Sequence, residues 1–234
     1  MNWLAFPLWH ASQKRTPMRM YSLCTPSHAV LRDEWFLPSV CDDFDIEVHL
    51  VDIEGAGRWR ERDFLQAVRH KGPIVLDAVE ANWGSSFVYS DVDIQFFAPV
   101  EERLRAALGD HDLVAQRDDP KGTFNAGFYI ARGNAAVRDL FQELGALLRA
   151  HPTMTEQPIL NEIVRRRGLN VGYLPVEFFG GGSLTGRRWQ PGDLLDVPAD
   201  VVMHHANFTV GIEDKIAQLR YVRSVVEERA RTGP

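Results

Sequence analysis

The sequence predicts one α/β domain of Rossmann type, with a mostly parallel central sheet flanked by helices. Three observations carry that expectation. The chain opens with a β-α-β pattern, apolar alternation of period two recurs between helical stretches, and 234 residues at 45% hydrophobic supply one core rather than two. The boundaries this implies are an N-terminal arm at 1–17 and a domain at 18–234.

The first strand is expected at "MRMYSLCT", ended by Pro26, and the second at "DIEVHLVDI", residues 45–53, with "HAVLRDEWFLPSV" at helical spacing between them. A strand, helix and parallel strand in that order favour a right-handed crossover. "RERDFLQAVRHK" places Phe64, Leu65 and Val68 on one helical face, and "GPIVLDAVEAN" reads as a separate helix after a Gly-Pro break. Next come the strand "SSFVYSDVDI", the helix "VEERLRAAL" closed by Gly109, and the short strand "DLVAQRD".

"TFNAGFYIAR" alternates as a strand does. Asn134 N-caps the helix that follows, whose stripe is Val137, Leu140, Phe141, Leu144, Leu147 and Leu148. Another helix is expected to begin at Pro158, because proline suits the first helical position. "LNVGYLPVEFF", a glycine-rich loop at 180–193, a strand-like "DVVMHHANF" and a helix from about Glu213 complete the order.

Net charge −6 and a pI near 5.8 exclude a general nucleic-acid binder, which needs a basic face to neutralise phosphates. Cys24 and Cys41 have no metal-ligand spacing and build no disulfide framework, so a reducing, cytoplasmic setting is expected. The apolar start "MNWLAFPLWH" is interrupted by Pro7 and His10 and is too short to span a bilayer; no transmembrane segment is expected.

The chemistry concentrates in four short motifs. Asp91 and Asp93, two apart in an extended segment, face the same way while Val92 faces the core. Paired carboxylates repel unless a cation lies between them, as when one or two carboxylates hold a divalent ion against substrate phosphates. Alone, such a pair equally caps a strand or forms surface salt bridges. Further on stand "FNAGFYIAR", "TEQPILNEI" and "HHANFTVGIEDK". "GSLTGRR" is not a phosphate loop, because arginines replace the lysine and hydroxyl and no helix follows; it reads equally as a lid or platform with Arg187, Arg188 and Trp189 available to stack on a ligand, or as an uninvolved surface loop.

In that order the motifs resemble those of the GT-A-fold nucleotide-diphospho-sugar transferases, including the plant arabinosyl- and xylosyltransferase-like proteins, over roughly residues 18–220. The resemblance implies Mn²⁺ or Mg²⁺ held by Asp91, Asp93 and His205, with His204 structural. It implies Asn125, Ala126 and Gly127 at the sugar, Glu156 and Gln157 as catalytic residues, and Asn207, Gly211 and Lys215 as the closing tail. Glu156 stands where aspartate is commoner, and Ala126 where threonine or serine is. Lys71 matches a basic residue reaching the diphosphate or sugar, and Thr25, Ser27 and Asp52 sit where the fold binds the nucleoside.

The implied function is metal-dependent transfer of a sugar, with retention, from a nucleotide-sugar donor, UDP-sugar favoured. The acceptor is a saccharide, protein or small molecule. Two other readings stay open on sequence: a nucleotide-sugar-binding protein with weak catalysis, and a metal-dependent phosphohydrolase.

Overall fold

The computed structural model describes residues 16–53, 55, 61–182 and 186–232. Most of the expected N-terminal arm lies outside the described residues. A six-stranded sheet runs in the order β2-β1-β3-β6-β5-β7, where β1 is Arg19–Cys24, β2 Asp45–Leu50, β3 Ser86–Ser90, β5 Leu113–Arg117, β6 Phe124–Arg132 and β7 Val171–Tyr173. β1 pairs in parallel with β2 and β3, and β5 with β7; β6 alone is antiparallel to both its neighbours. The sheet is thus mostly parallel, as expected, with one reversed central strand. A three-stranded sheet, β4-β9-β8, joins Ile94–Phe96 to Met203–His205 and Phe178–Gly180.

Strand alternation builds the two apolar layers. Tyr21, Phe87, Tyr89, Leu113, Ala115 and Tyr129 face one side, against α2 (Arg62–Ala81), α4 (Ala135–Ala150) and α5 (Glu156–Arg167). Met20, Val88, Val114, Phe128 and Ile130 face the other, with the small sheet, α3 (Glu101–Leu108) and Leu219 of α6 (Ile212–Thr232). Each large side chain removed from water in these layers contributes about 1.5–3 kcal/mol before entropy is counted. Asn134 caps α4 as the sequence suggests, its side chain accepting from the Val137 N–H at 2.9 Å.

Three local expectations are corrected. The segment after β1 is not one helix: α1 (Ala29–Leu31) lies between 3₁₀ turns at Pro26–His28 and Leu37–Ser39, with a π turn at Arg32–Phe36. The two helices expected around the Gly72-Pro73 break are one, α2, with Pro73 inside it. Pro73 removes one helical N–H, but Gly72 before it has no Cβ to clash with the ring, and Val68, Ile74, Val75, Ala78 and Val79 hold both halves on the core. Finally, α5 starts at Glu156, with Thr155 as N-cap, so Pro158 is its third residue rather than its first. Proline needs no N–H partner anywhere in the first turn.

Candidate active site

A cavity of about 690 Å³ opens at the carboxyl ends of the strands, where open α/β sheets bind ligands. Thr25, Ser27, Lys71, Asp91, Asp93, Asn125, Gly127, Glu156, Gln157, His205, Asn207, Gly211 and Lys215 all line it. Two expected residues do not. Asp52 is exposed outside the lining, where its neighbour Ile53 contributes instead. Ala126 turns its methyl into the α2-α4-α5 layer, because β6 alternates and gives the cavity Asn125 and Gly127.

Asp91 and Asp93 do not reach the cavity from within a strand. β3 stops at Ser90, β4 starts at Ile94, and the intervening Asp91-Val92-Asp93 is the step by which the chain passes between the two sheets. The Asp91 N–H still donates to the Gly127 carbonyl at 2.7 Å, so β6 holds the first carboxylate in place. The Ala206 N–H donates to the Asp93 carbonyl at 2.9 Å, and β9 pairs His205 with Ile94, which brings the histidine beside the second. Gly127 is required by close approach: a Cβ there would lie 2.6 Å from Asp91 Oδ2 and 2.7 Å from His205 Cε1.

Among the described residues, Asp91, Asp93 and His205 form a cluster whose ligand atoms all lie within 4.8 Å of one another. The tautomer of His205 follows from its neighbours. Gln116 Nε2 donates to the Phe178 carbonyl at 3.0 Å, so its Oε1 accepts, and it accepts from His205 Nδ1 at 2.9 Å. In the neutral ring the lone pair is then on Nε2, which faces Asp93 Oδ1 at 3.3 Å. An imidazole lone pair against a carboxylate oxygen, with a second carboxylate beside them, is a mixed N and O donor set that fits Mn²⁺ or Mg²⁺.

Two lysines balance the carboxylates. Lys71 Nζ reaches Asp91 Oδ1 at 2.8 Å and Glu156 Oε1 at 3.0 Å, from the middle of α2 rather than from a helix end. Burial opposes its charge, but Asp91 and Glu156 outweigh it and hold the ammonium well above the usual lysine range. Lys215 Nζ donates to Asp93 Oδ2 and to the Ala206 carbonyl. Burial likewise opposes the Asp93 charge, and chiefly the Lys215 ammonium carries its carboxyl well below the usual range. Both ammonium groups are thus in contact with carboxylates of the cluster that could hold a metal ion.

Sequence reasoning missed four residues of this site. Asp118 and Gln116 lie at the end of "DLVAQRD", where nothing but position marks them. His28 lines the cavity, its Nδ1 within 3.0 Å of both the Thr25 and Ser27 hydroxyls; burial lowers its pKa. Phe208, also in the lining, has φ of +55°, a left-handed conformation uncommon for an aromatic residue. His204 is fully buried, stacked on Phe179 with ring centroids 5.2 Å apart, which is the structural place expected for it. Of the glycine-rich loop, residues 183–185 lie outside the described residues, and Arg188 lines the cavity. Trp189 is not available to stack on a sugar, because it is buried with its indole N–H on the Asp193 carbonyl.

The strand-end cavity thus brings together a carboxylate-imidazole cluster that could hold a divalent ion and two lysines in contact with its carboxylates. The chain belongs to the nucleotide-diphospho-sugar transferase family, whose model matches residues 37–219. It is 28% identical over 137 residues to an uncharacterized protein of Arabidopsis thaliana, covering 56% of this chain and 41% of that one; the chain therefore spans about two fifths of that relative's length. The fold is that of the GT-A glycosyltransferases. The glycosyltransferase GlyE of Streptococcus pneumoniae TIGR4 superposes with a TM-score of 0.56 at 12% identity, over 93% of this chain and 64% of that one. A glycosyltransferase involved in glycosylation of the major capsid of PBCV-1 gives 0.57 at 10% identity, over 88% and 99%. No described helix is long and apolar enough to cross a membrane.

Proposed function

We propose that this chain is a metal-dependent glycosyltransferase that moves a sugar from a UDP-sugar to an acceptor hydroxyl, with retention of anomeric configuration. The observation that carries the reading is the Asp91-Asp93-His205 cluster with Lys71 and Lys215 in contact with its carboxylates. Mn²⁺ or Mg²⁺ bound there supplies Lewis-acid stabilisation of the charge that develops on the leaving diphosphate.

The chain's own groups do the rest. Lys71 and Lys215 turn from the carboxylates to phosphate oxygens and stabilise the departing UDP. Thr25, Ser27 and His28 line the nucleoside end, with Ile53, Phe64 and Val68 supplying apolar walls. Asn125, Gly127 and Gln157 border the sugar, and Glu156, at the first turn of α5, faces the anomeric carbon or the acceptor hydroxyl. The C–O bond between the anomeric carbon and the phosphate breaks as the acceptor oxygen bonds that carbon on the same face, and the acceptor proton passes to the departing phosphate oxygen. Retention and the UDP preference rest on the family resemblance.

A thermal-shift screen of UDP-, GDP- and CMP-sugars, each with and without Mn²⁺, tests this reading, because a ligand that binds only the folded state raises the melting temperature by mass action. A shift with UDP-sugars that requires Mn²⁺, together with slow hydrolysis of the UDP-sugar to UDP and free sugar, is expected. Shifts that ignore Mn²⁺, or release of inorganic phosphate, contradict it.

A further inference from the structure

One buried carboxylate beside the metal cluster organises more of the cavity than any motif residue does. Asp118 Oδ1 accepts from Asn125 Nδ2 at 2.6 Å and from Asn207 Nδ2 at 3.0 Å, and its Oδ2 accepts from Gln157 Nε2 at 2.6 Å. The three amides come from β6, from the first turn of α5 and from the segment after β9, parts of the chain far apart in sequence. Each amide also uses its oxygen on a backbone N–H. Asn125 accepts from Gly127 at 2.7 Å, Gln157 from Ala126 at 3.0 Å and Asn207 from Gly182 at 2.9 Å. Both ends of every amide are thereby fixed, and none can flip without setting donor against donor.

A primary amide has two N–H donors, and each of the three keeps one beyond its bond to Asp118. All three amides and Asp118 itself line the cavity. A carboxylate has about four acceptor sites, and Asp118 uses three, leaving one. We propose that Asp118 is the positioning residue of the sugar pocket, fixing Asn125, Gln157 and Asn207 so that their remaining N–H groups meet the oxygens of a neutral, hydroxyl-rich sugar. The sugar hydroxyls in turn donate to the remaining acceptor site of Asp118. The proposal rests on the glycosyltransferase reading for the identity of the ligand, but the amide arrangement stands on its own contacts.

A double-variant cycle tests it. In Asp118→Asn, one amide oxygen can still receive Asn125 and Asn207, but the amide nitrogen then faces Gln157 Nε2, donor against donor. If Gln157 flips to relieve this, its NH₂ meets the Ala126 N–H. Gln157→Glu alone sets a second carboxylate against Asp118. Combined, the two changes close the network again: the new amide at 118 donates, and the new carboxylate at 157 accepts from it and from Ala126. Each single variant is expected to lower the melting temperature by about 4–10 °C, the cost of one broken buried polar contact in a domain of this size. The double variant is expected to recover more than half of that loss, and additive losses overturn the arrangement.

The second readout separates positioning from general support. With Mn²⁺ present, Asp118→Asn is expected to keep its affinity for UDP within about threefold while kcat/KM for hydrolysis of UDP-glucose, UDP-galactose or UDP-xylose falls at least about tenfold, a loss of transition-state contacts rather than of uniform binding. Equal loss of both overturns the positioning role. If the native protein shows no Mn²⁺-dependent UDP binding at all, the donor reading falls and the sugar half of this proposal with it, while the melting cycle still decides the amide arrangement.

Discussion

His205 Nε2 faces Asp93 Oδ1 at 3.3 Å while its Nδ1 is bound to Gln116 Oε1 at 2.9 Å. Gln116 is itself fixed by the Phe178 carbonyl, so the imidazole is aimed from behind. Such outer partners typically change metal affinity by about 10–100-fold when removed. Gln116→Leu is therefore expected to raise the Mn²⁺ concentration needed for UDP binding by about that factor, measured by calorimetry at a series of Mn²⁺ concentrations. Unchanged Mn²⁺ demand would contradict a role for Gln116 in aiming a ligand imidazole.

Gly127→Ala carries a methyl into a space bounded by Asp91 Oδ2 at 2.6 Å and His205 Cε1 at 2.7 Å. Overpacking of this kind costs about 1–3 kcal/mol. The expected result is a lower melting temperature together with loss of the Mn²⁺-dependent shift, because the displaced atoms belong to both donor groups. A variant that melts lower but keeps its Mn²⁺ response would dissociate the packing from the metal.

Removing Lys71 leaves Asp91 and Glu156 without the ammonium that lies between them. Lys71→Met is expected to cost about 2–3 kcal/mol, somewhat less than a wholly enclosed pair because the cavity admits water. Mn²⁺ should restore part of this, since it supplies the missing charge beside Asp91. Chemical denaturation with and without Mn²⁺ measures both. Equal loss under the two conditions contradicts a shared role for the lysine and the ion.

His204 supplies a pH dependence of folding. Burial first, and then the neighbouring His205, lowers its pKa from 6.5 to about 3. Below about pH 6.5 the unfolded chain takes up a proton that the folded chain refuses until about pH 3. Stability from this residue is therefore complete above about pH 6.5 and falls as the pH drops through that window, by about 2 kcal/mol at about pH 5. His204→Phe, which keeps a ring against Phe179, should flatten the curve of stability against pH between about 6.5 and 4 relative to the native chain. Parallel curves in urea titrations would contradict the assignment.

What depends on local pattern is legible in the sequence. Alternation in "TFNAGFYIAR" identifies the central strand, and the likeness of "HHANF" to a family motif separates His205 from His204. Where tertiary packing overrides local signals, sequence misleads. Gly72-Pro73 punctuates a chain, yet α2 runs through it because apolar residues on both sides face one layer. The Asp91-Val92-Asp93 step reads as a strand end, because nothing local announces a change of sheet. Asp118 and Gln116 are invisible because all their partners here except Asn125 come from distant elements, and a polar residue at the end of a short strand has no periodic signature. Asp52, placed by analogy of position alone, falls outside the cavity lining.

The glycosyltransferase mechanism stands or falls on Asp93 being part of a metal site through which UDP is bound. Calorimetric titration of UDP into the native chain and into Asp93→Ala, each with and without Mn²⁺, tests this most directly. Binding to the native chain that requires Mn²⁺ and is lost in the variant is the predicted result. UDP binding that is indifferent to Mn²⁺ and equal in both proteins would contradict it.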